Sequence, residues 1–240
     1  MSDGPVPTRR GPVGRTAAVA LTILAVVTVV VAPGLAQQLF HLSGRAELDT
    51  RPVVLVLGDS FESGSLMNRG DAWPDLAGLD HGWVIYVDAV PGTGYVNKGF
   101  NARSFPARAK TLVHDYAPDV MIVAGGLDDV LGGYPLQRTL AAADRTFRTL
   151  RAGFSARTRL VVLSPFAKGA VPSPAVLALS RALRPVAERD GATYVDVTHL
   201  LDNRDPALVG SDRTHPTDKG HRLLARRIAQ ALVARKLLPS

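Results

Sequence analysis

The sequence predicts an α/β domain in which a parallel sheet of about five strands is covered by helices on both faces. Three observations point there. Short runs rich in Val and Ile recur along the chain, longer segments with helical spacing separate them, and the turns after several runs are rich in Gly and Asp. Strand, helix and strand repeated in this way imply right-handed crossovers and therefore parallel pairing.

The runs fall at residues 53–57, 84–87, 120–124, 160–163 and 194–197. Each is short and almost wholly apolar, the pattern of strands buried on both faces. Helical spacing marks 104–116, which ends before Pro118, and 136–154, with Leu140, Phe147 and Leu150 on one side. It also marks 175–189, which follows Pro174, a good first-turn residue. The last helix is expected over 217–236, with a stripe of Leu223, Leu224, Ile228, Leu232 and Val233 and a cap from Thr217 or Asp218.

The chain has 240 residues, 46% of them hydrophobic, which suits one sizeable core and one catalytic domain. The absence of cysteine removes disulfides, thiol nucleophiles, Cys-based zinc sites and lipidation through an N-terminal Cys. Net charge is +7; setting aside Arg9, Arg10, Arg15 and Asp3 leaves 25 cations against 20 anions, a net +5 for the remainder. These charges are spread over many expected helices and are not interleaved with aromatics. They read as solvated helix faces, with mild attraction to anionic envelope polymers as the alternative, and no nucleic-acid partner is expected.

The N-terminus carries an address. Residues 1–16 form a basic segment, expected to stay cytoplasmic. Residues 17–36 are mostly apolar and fit either a cleaved signal peptide or a retained membrane anchor, with Gly34 and Ala36 placed for cleavage before Gln37. Residues 37–51 read as a linker and 52–240 as the folded domain. The expected location is extracytoplasmic, secreted or anchored to the cell membrane, with membrane contact only if the segment is retained.

In a parallel α/β sheet, ligands gather at the carboxyl ends of the strands. Gly58-Asp59-Ser60 follows the first run, where a Ser opening a helix sits near its positive end. Alone, this is also an ordinary turn with a helix cap. Val90-Pro91-Gly92-Thr93-Gly94-Tyr95 follows the second run, and its glycines let backbone N–H groups approach a ligand. Gly125-Gly126-Leu127-Asp128-Asp129 follows the third, with no neighbouring His or further acid to complete a metal site. Near the C-terminus stands Asp212-Arg213-Thr214-His215-Pro216. Its Asp can hold the imidazole tautomer and leave Nε2 free to take a proton from a hydroxyl. The other histidines (His41, His81, His114, His199, His221) lack such a neighbour and suit surface or structural roles. Ser60 and Asp212-x-x-His215 can meet only at the sheet's carboxyl edge, giving a nucleophile, a base and an orienting acid.

On these residues the chain resembles the SGNH hydrolases, also called GDSL-like lipases and esterases, from about Val53 onward. Gly58-Asp59-Ser60 matches the family's first block and Asp212-x-x-His215-Pro216 its fifth; Thr217-Asp218-Lys219-Gly220-His221 is similar to its entry into the last helix. The resemblance implies a flavodoxin-like three-layer α/β/α sandwich. It also implies Ser60 as nucleophile, His215 as base and Asp212 as its partner. The oxyanion donors it implies are the Ser60 N–H, the Gly92 N–H (with Gly94 as the alternative) and a side chain at position 128. No metal and no organic cofactor are implied. The α/β-hydrolase pattern Gly-x-Ser-x-Gly is not met, since Glu62 stands at its second glycine.

The third block departs from the family, with Asp128 where an oxyanion Asn is expected. An ionised carboxylate has no donor, and losing one oxyanion donor costs roughly 10²–10³ in rate. A protonated acid would donate. The expectation is weakened activity or a preference for acidic pH. Three functions fit the constellation: an exported ester hydrolase with an acyl-enzyme intermediate, an envelope acyltransferase with the same triad, or a weakened glycan-binding domain. The expected partner is an ester-bearing small molecule, a lipid or an O-acylated glycan. The stretch from Phe61 to Trp73 and the loop from Tyr95 to Phe105 would line the pocket, although their aromatics equally suit the core.

Overall fold

Alternating side chains of a buried strand must be covered twice, once on each face. In β1 (Val53–Gly58), Val54 and Val56 point into one apolar cluster and Leu55 and Leu57 into another. The same alternation runs through β3 (Val120–Val123) and β4 (Arg159–Leu163). With β2 (Val84–Ala89) and β5 (Thr193–Val195) these make one parallel sheet in the order β2-β1-β3-β4-β5. The computed structural model describes residues 50–64, 71–100, 103–168, 172–201 and 204–240. Arg51–Ser240 forms one compact unit. The leader expected at 1–16 and 17–36, and nearly all of the linker at 37–51, lie outside the described residues. Among the described residues, no helix is long and apolar enough to cross a membrane.

Helices follow the strands in chain order. A single turn, α1 (Ser60–Ser63), leaves β1, and α2 (Trp73–His81) leads into β2. Then come α3 (Phe105–Asp115), the short α4 (Leu127–Leu131), α5 (Leu136–Gly153), α6 (Pro174–Arg189) and α7 (Asp218–Ala234). Trp73 and Ala77 of α2 and Leu224, Ile228 and Leu232 of α7 fill the cluster on one face. Phe105 and Leu112 of α3, Phe147 and Leu150 of α5 and Leu183 of α6 fill the other. The result is the expected three-layer α/β/α sandwich. Its chain reverses direction across the sheet between β1 and β3, so the crevice at their carboxyl ends is the natural ligand position.

The structure corrects the sequence reading in two places and settles a third that it left open. The strand over 84–87 was expected to be buried on both faces, yet β2 is an edge strand, partly exposed along its length, with Tyr86 in solvent. Helix α2 was not foreseen because Pro74 and Gly78 weaken its pattern; Pro74 sits harmlessly in the first turn. Of the aromatics that suited either a pocket lining or the core, Phe61, Trp73, Tyr95 and Phe105 are buried core, while Phe100 is exposed.

Gly58 ends β1 beneath Glu62, whose Cβ, Cγ and Oε2 would lie 2.5 Å from a β-carbon at position 58. Neither the strand backbone nor the one-turn helix can retreat. Gly58→Ala is therefore expected to lower the unfolding free energy by about 1–3 kcal/mol, read from the midpoint of urea denaturation.

Candidate active site

The turn that carries Ser60 is built from its own acids. Asp59 caps α1 by accepting from the Phe61 N–H at 3.0 Å, and its own N–H donates to Glu62 Oε2 at 3.1 Å. This reciprocal capping box fixes Ser60 as the first helical residue, at the carboxyl end of β1. Glu62 Oε1 also accepts from Trp73 Nε1 at 2.9 Å. Burial raises both carboxyl groups, Asp59 well above its ordinary range and Glu62 to about 7.

His215 arrives on the loop before α7. Asp212 Oδ1 accepts from the Thr214 N–H at 2.9 Å and the His215 N–H at 3.0 Å, closing a turn in which Arg213 takes a left-handed φ of 54°. The Gly210 N–H donates to the His215 carbonyl at 2.9 Å, and Thr217 caps the helix by accepting from the Gly220 N–H. Asp212 Oδ2 faces His215 Nδ1 at 2.5 Å, and His215 Nε2 lies 2.8 Å from Ser60 Oγ. Two residues 155 positions apart thus meet within hydrogen-bonding distance. Burial alone would raise Asp212, but hydrogen bonds from the His215 ring and the two turn N–H groups outweigh it and hold the carboxyl below its usual range. An ionised Asp212 keeps the proton on Nδ1, so Nε2 is the acceptor for the Ser60 hydroxyl. Ser60 is 7% exposed and the His215 side chain 22%, so the pair is reachable from solvent.

The two adjacent acids after β3 do different things. Asp129 is buried and accepts from the N–H groups of Tyr95, Val96 and Asn97 at 2.8, 2.7 and 2.9 Å. It anchors the loop after β2, and Gly94 is needed there because a β-carbon would come within 2.3 Å of its Oδ2. The Gly94 N–H is already committed to the Asn97 carbonyl at 2.9 Å. The Gly92 N–H instead lies beside the Asp128 carboxyl group and favours its ionised form. Burial first, then the Asp129 carboxylate, raise Asp128, against the opposing pull of His215, the Gly92 N–H and Lys168. Asp128 and Gly92, both expected near the oxyanion, therefore sit together on the His215 side of the crevice.

Arg108 was missed by the sequence reading. It is 3% exposed and makes a bidentate contact with Asp88, with Nε and Nη2 at 3.2 and 2.9 Å from its two oxygens. Its Nη1 donates to the Gly58 carbonyl at 3.1 Å and to Thr93 Oγ1 at 2.9 Å. One guanidinium thus joins the ends of β1 and β2 to the Gly92 loop. In the sequence it looked like any helix-surface arginine. Buried His221, left to a structural role, accepts from the Trp73 N–H at its Nδ1, 3.2 Å away.

As pH rises, Asp128 ionises and loses the proton it could donate to an oxyanion, so activity is expected to fall on the alkaline side. Asp128→Asn supplies a donor at every pH. It is expected to remove that limb and raise kcat/KM at neutral pH by roughly 10–100-fold, measured as a pH–rate profile on a short-chain aryl ester. A variant with an unchanged alkaline limb and no gain at any pH contradicts this.

Comparisons with known proteins bear on the family and the fold. The model of the GDSL-like Lipase/Acylhydrolase family matches residues 56–223. The GDSL lipase Rv0518 of Mycobacterium tuberculosis is 29% identical over 187 residues, covering 73% of this chain and 79% of the relative. Among solved structures, the psychrotrophic esterase EstA from Pseudoalteromonas superposes with a TM-score of 0.66 at 15% identity, covering 77% of this chain and 98% of that one. A family two carbohydrate esterase from Clostridium thermocellum, solved in complex with cellohexaose, gives 0.63 at 11% identity, covering 78% and 65%.

Proposed function

The chain belongs to the GDSL-like lipase/acylhydrolase family and is a carboxylic-ester hydrolase, and from that premise we propose that Ser60, His215 and Asp212 carry out the hydrolysis through an acyl-enzyme. The observation that supports this reading is the unbroken chain from Asp212 through His215 to Ser60 Oγ, at 2.5 and 2.8 Å.

In the first half-reaction, Ser60 Oγ attacks the acyl carbonyl while His215 Nε2 accepts its proton, and Asp212 stabilises the imidazolium. The carbonyl oxygen gains negative charge, which the Ser60 and Gly92 N–H groups, with protonated Asp128, receive. His215 returns the proton to the departing alkoxide. Water then attacks the acyl-Ser60 ester with His215 again as base, releasing the acid and restoring the hydroxyl.

The substrate is an ester-bearing small molecule, a lipid or an O-acylated glycan. Solved neighbours include an esterase and a carbohydrate esterase held with cellohexaose, which support both ends of that range. The basic cluster of Arg9, Arg10 and Arg15 ahead of the apolar segment supports action outside the cytoplasmic membrane. Alkaline phosphatase fused after residue 51 is expected to be active in cells; an inactive fusion of normal abundance argues against export.

The catalytic assignment is tested with a fluorophosphonate probe and a panel of aryl esters of increasing acyl length. Labelling and turnover are expected to vanish in Ser60→Ala. Turnover is expected to drop roughly 10⁴-fold in Asp212→Asn, where the wrong imidazole tautomer is favoured. Labelling that persists in Ser60→Ala, or an absence of turnover in the parent chain at every pH, would overturn it.

A further inference from the structure

The excess positive charge is not evenly spread over the folded unit. Helices α3 and α5 pack side by side, and between their outer faces runs a groove of about 530 Å³. Its floor is small: Pro106 and Ala107 from α3, Ala142 and Thr149 from α5. Its walls are Lys98, Lys110, Arg138, Arg145 and Arg148, and all five are exposed. No carboxylate is among its lining residues. Asp144, the nearby acid of α5, is engaged by Arg189 at 2.5 Å and by Arg148 at 3.7 Å. Among the described residues, Lys98, Lys110, Arg138 and Arg145 have no ion-pair partner.

The spacing makes this a track. Arg138, Ala142, Arg145 and Thr149 follow one another at four, three and four residues, so they lie along one face of α5, a stripe roughly 16 Å long. Cations at both walls of an open channel focus their field into it. Like charges held this close without a counter-charge disfavour the folded state, so the arrangement suits a polyvalent anion laid along the channel. We propose that this groove binds a linear anionic polysaccharide through its carboxylate or sulfate groups.

The other polyanions fit less well. A single-stranded nucleic acid needs exposed aromatic faces on which bases stack, and the ring that reaches the groove, Tyr95, is fully buried. A bilayer surface needs a flat or convex patch with apolar side chains to insert, and here the cations line a concavity floored by Pro, Ala and Thr. A glycan chain asks only for spaced charges and a narrow, mostly flat floor. The groove also shares a loop with the candidate active site: Lys98 on its wall is bridged to Thr93, next to Gly92. A polymer in the groove thus touches the segment that faces Asp128. The site stands on its own, whichever ester Ser60 cleaves.

The test uses the purified full-length chain titrated with polygalacturonate at several salt concentrations, followed by intrinsic fluorescence or calorimetry. Saturable binding that weakens as salt rises is expected, with a loss of roughly tenfold or more in Arg138→Gln/Arg145→Gln. Arg226→Gln/Arg227→Gln on α7 removes the same charge from the opposite layer and is expected to leave the affinity unchanged. Equal loss in both variants would reduce the effect to net charge and overturn the proposal. So would an absence of binding at low salt, or tighter binding of oligothymidylate or phosphatidylglycerol vesicles through the same two arginines.

Discussion

Carboxylates taken out of water at the carboxyl edge of the sheet must be surrounded by donors, and that requirement shapes the functional end of this molecule. A carboxyl group buried without partners is costly in either protonation state, so each one gathers N–H groups or a cation. Asp59 and Glu62 take those of the Ser60 turn and Trp73, Asp129 takes three from the loop after β2, and Asp88 takes the guanidinium of Arg108. In doing so each acid ties down a backbone segment that no strand or helix would otherwise hold. The loops of this edge are held by hydrogen bonds to buried carboxyl groups as well as by packing.

Asp128 and Asp129 show how far neighbouring identical residues can diverge under that rule. Asp129 points inward to three N–H donors and has a full set of partners. Asp128, one residue on from Leu127, meets the Gly92 N–H and the field of His215. Burial and the Asp129 carboxylate raise Asp128, so the two adjacent acids differ in what surrounds them as well as in what they hold.

Legibility followed the range of the interactions. Strand positions and four of the helices were readable because burial on two faces leaves a periodic trace in the residues themselves. Ser60 and the Asp212-x-x-His215 turn were readable because their chemistry demands particular residue types just after or before an element. Trp73–His81 was not, since Pro74 and Gly78 blur its period and only packing against α7 and β2 sustains it. Arg108 left no mark either, because nothing local separates a buried arginine from a solvated one; its partners lie 15, 20 and 50 positions away. The groove between α3 and α5 was likewise invisible. Its cations come from three segments that only the tertiary fold aligns, so the sequence showed them as scattered.

The meeting of Ser60 and His215 raises a mechanical question, because a single hydrogen bond between partly exposed side chains contributes only about 1 kcal/mol and cannot hold two loops in register. A second connection beneath it does. His221, on the first turns of α7, accepts from the Trp73 N–H; the Trp73 indole donates to Glu62; and Glu62 accepts the N–H of Asp59, the residue before Ser60. Desolvation lowers His221 to about 4, so its ring is neutral and Nδ1 serves as the acceptor the relay needs. Its Nε2 has no partner among the described residues, which leaves the Trp73 contact as the ring's polar tie. The relay joins the helix that follows His215 to the turn that carries Ser60, inside the apolar layer where water does not compete. The 2.8 Å approach of Ser60 and His215 thus rests on a layer beneath it, made of groups outside the contact itself.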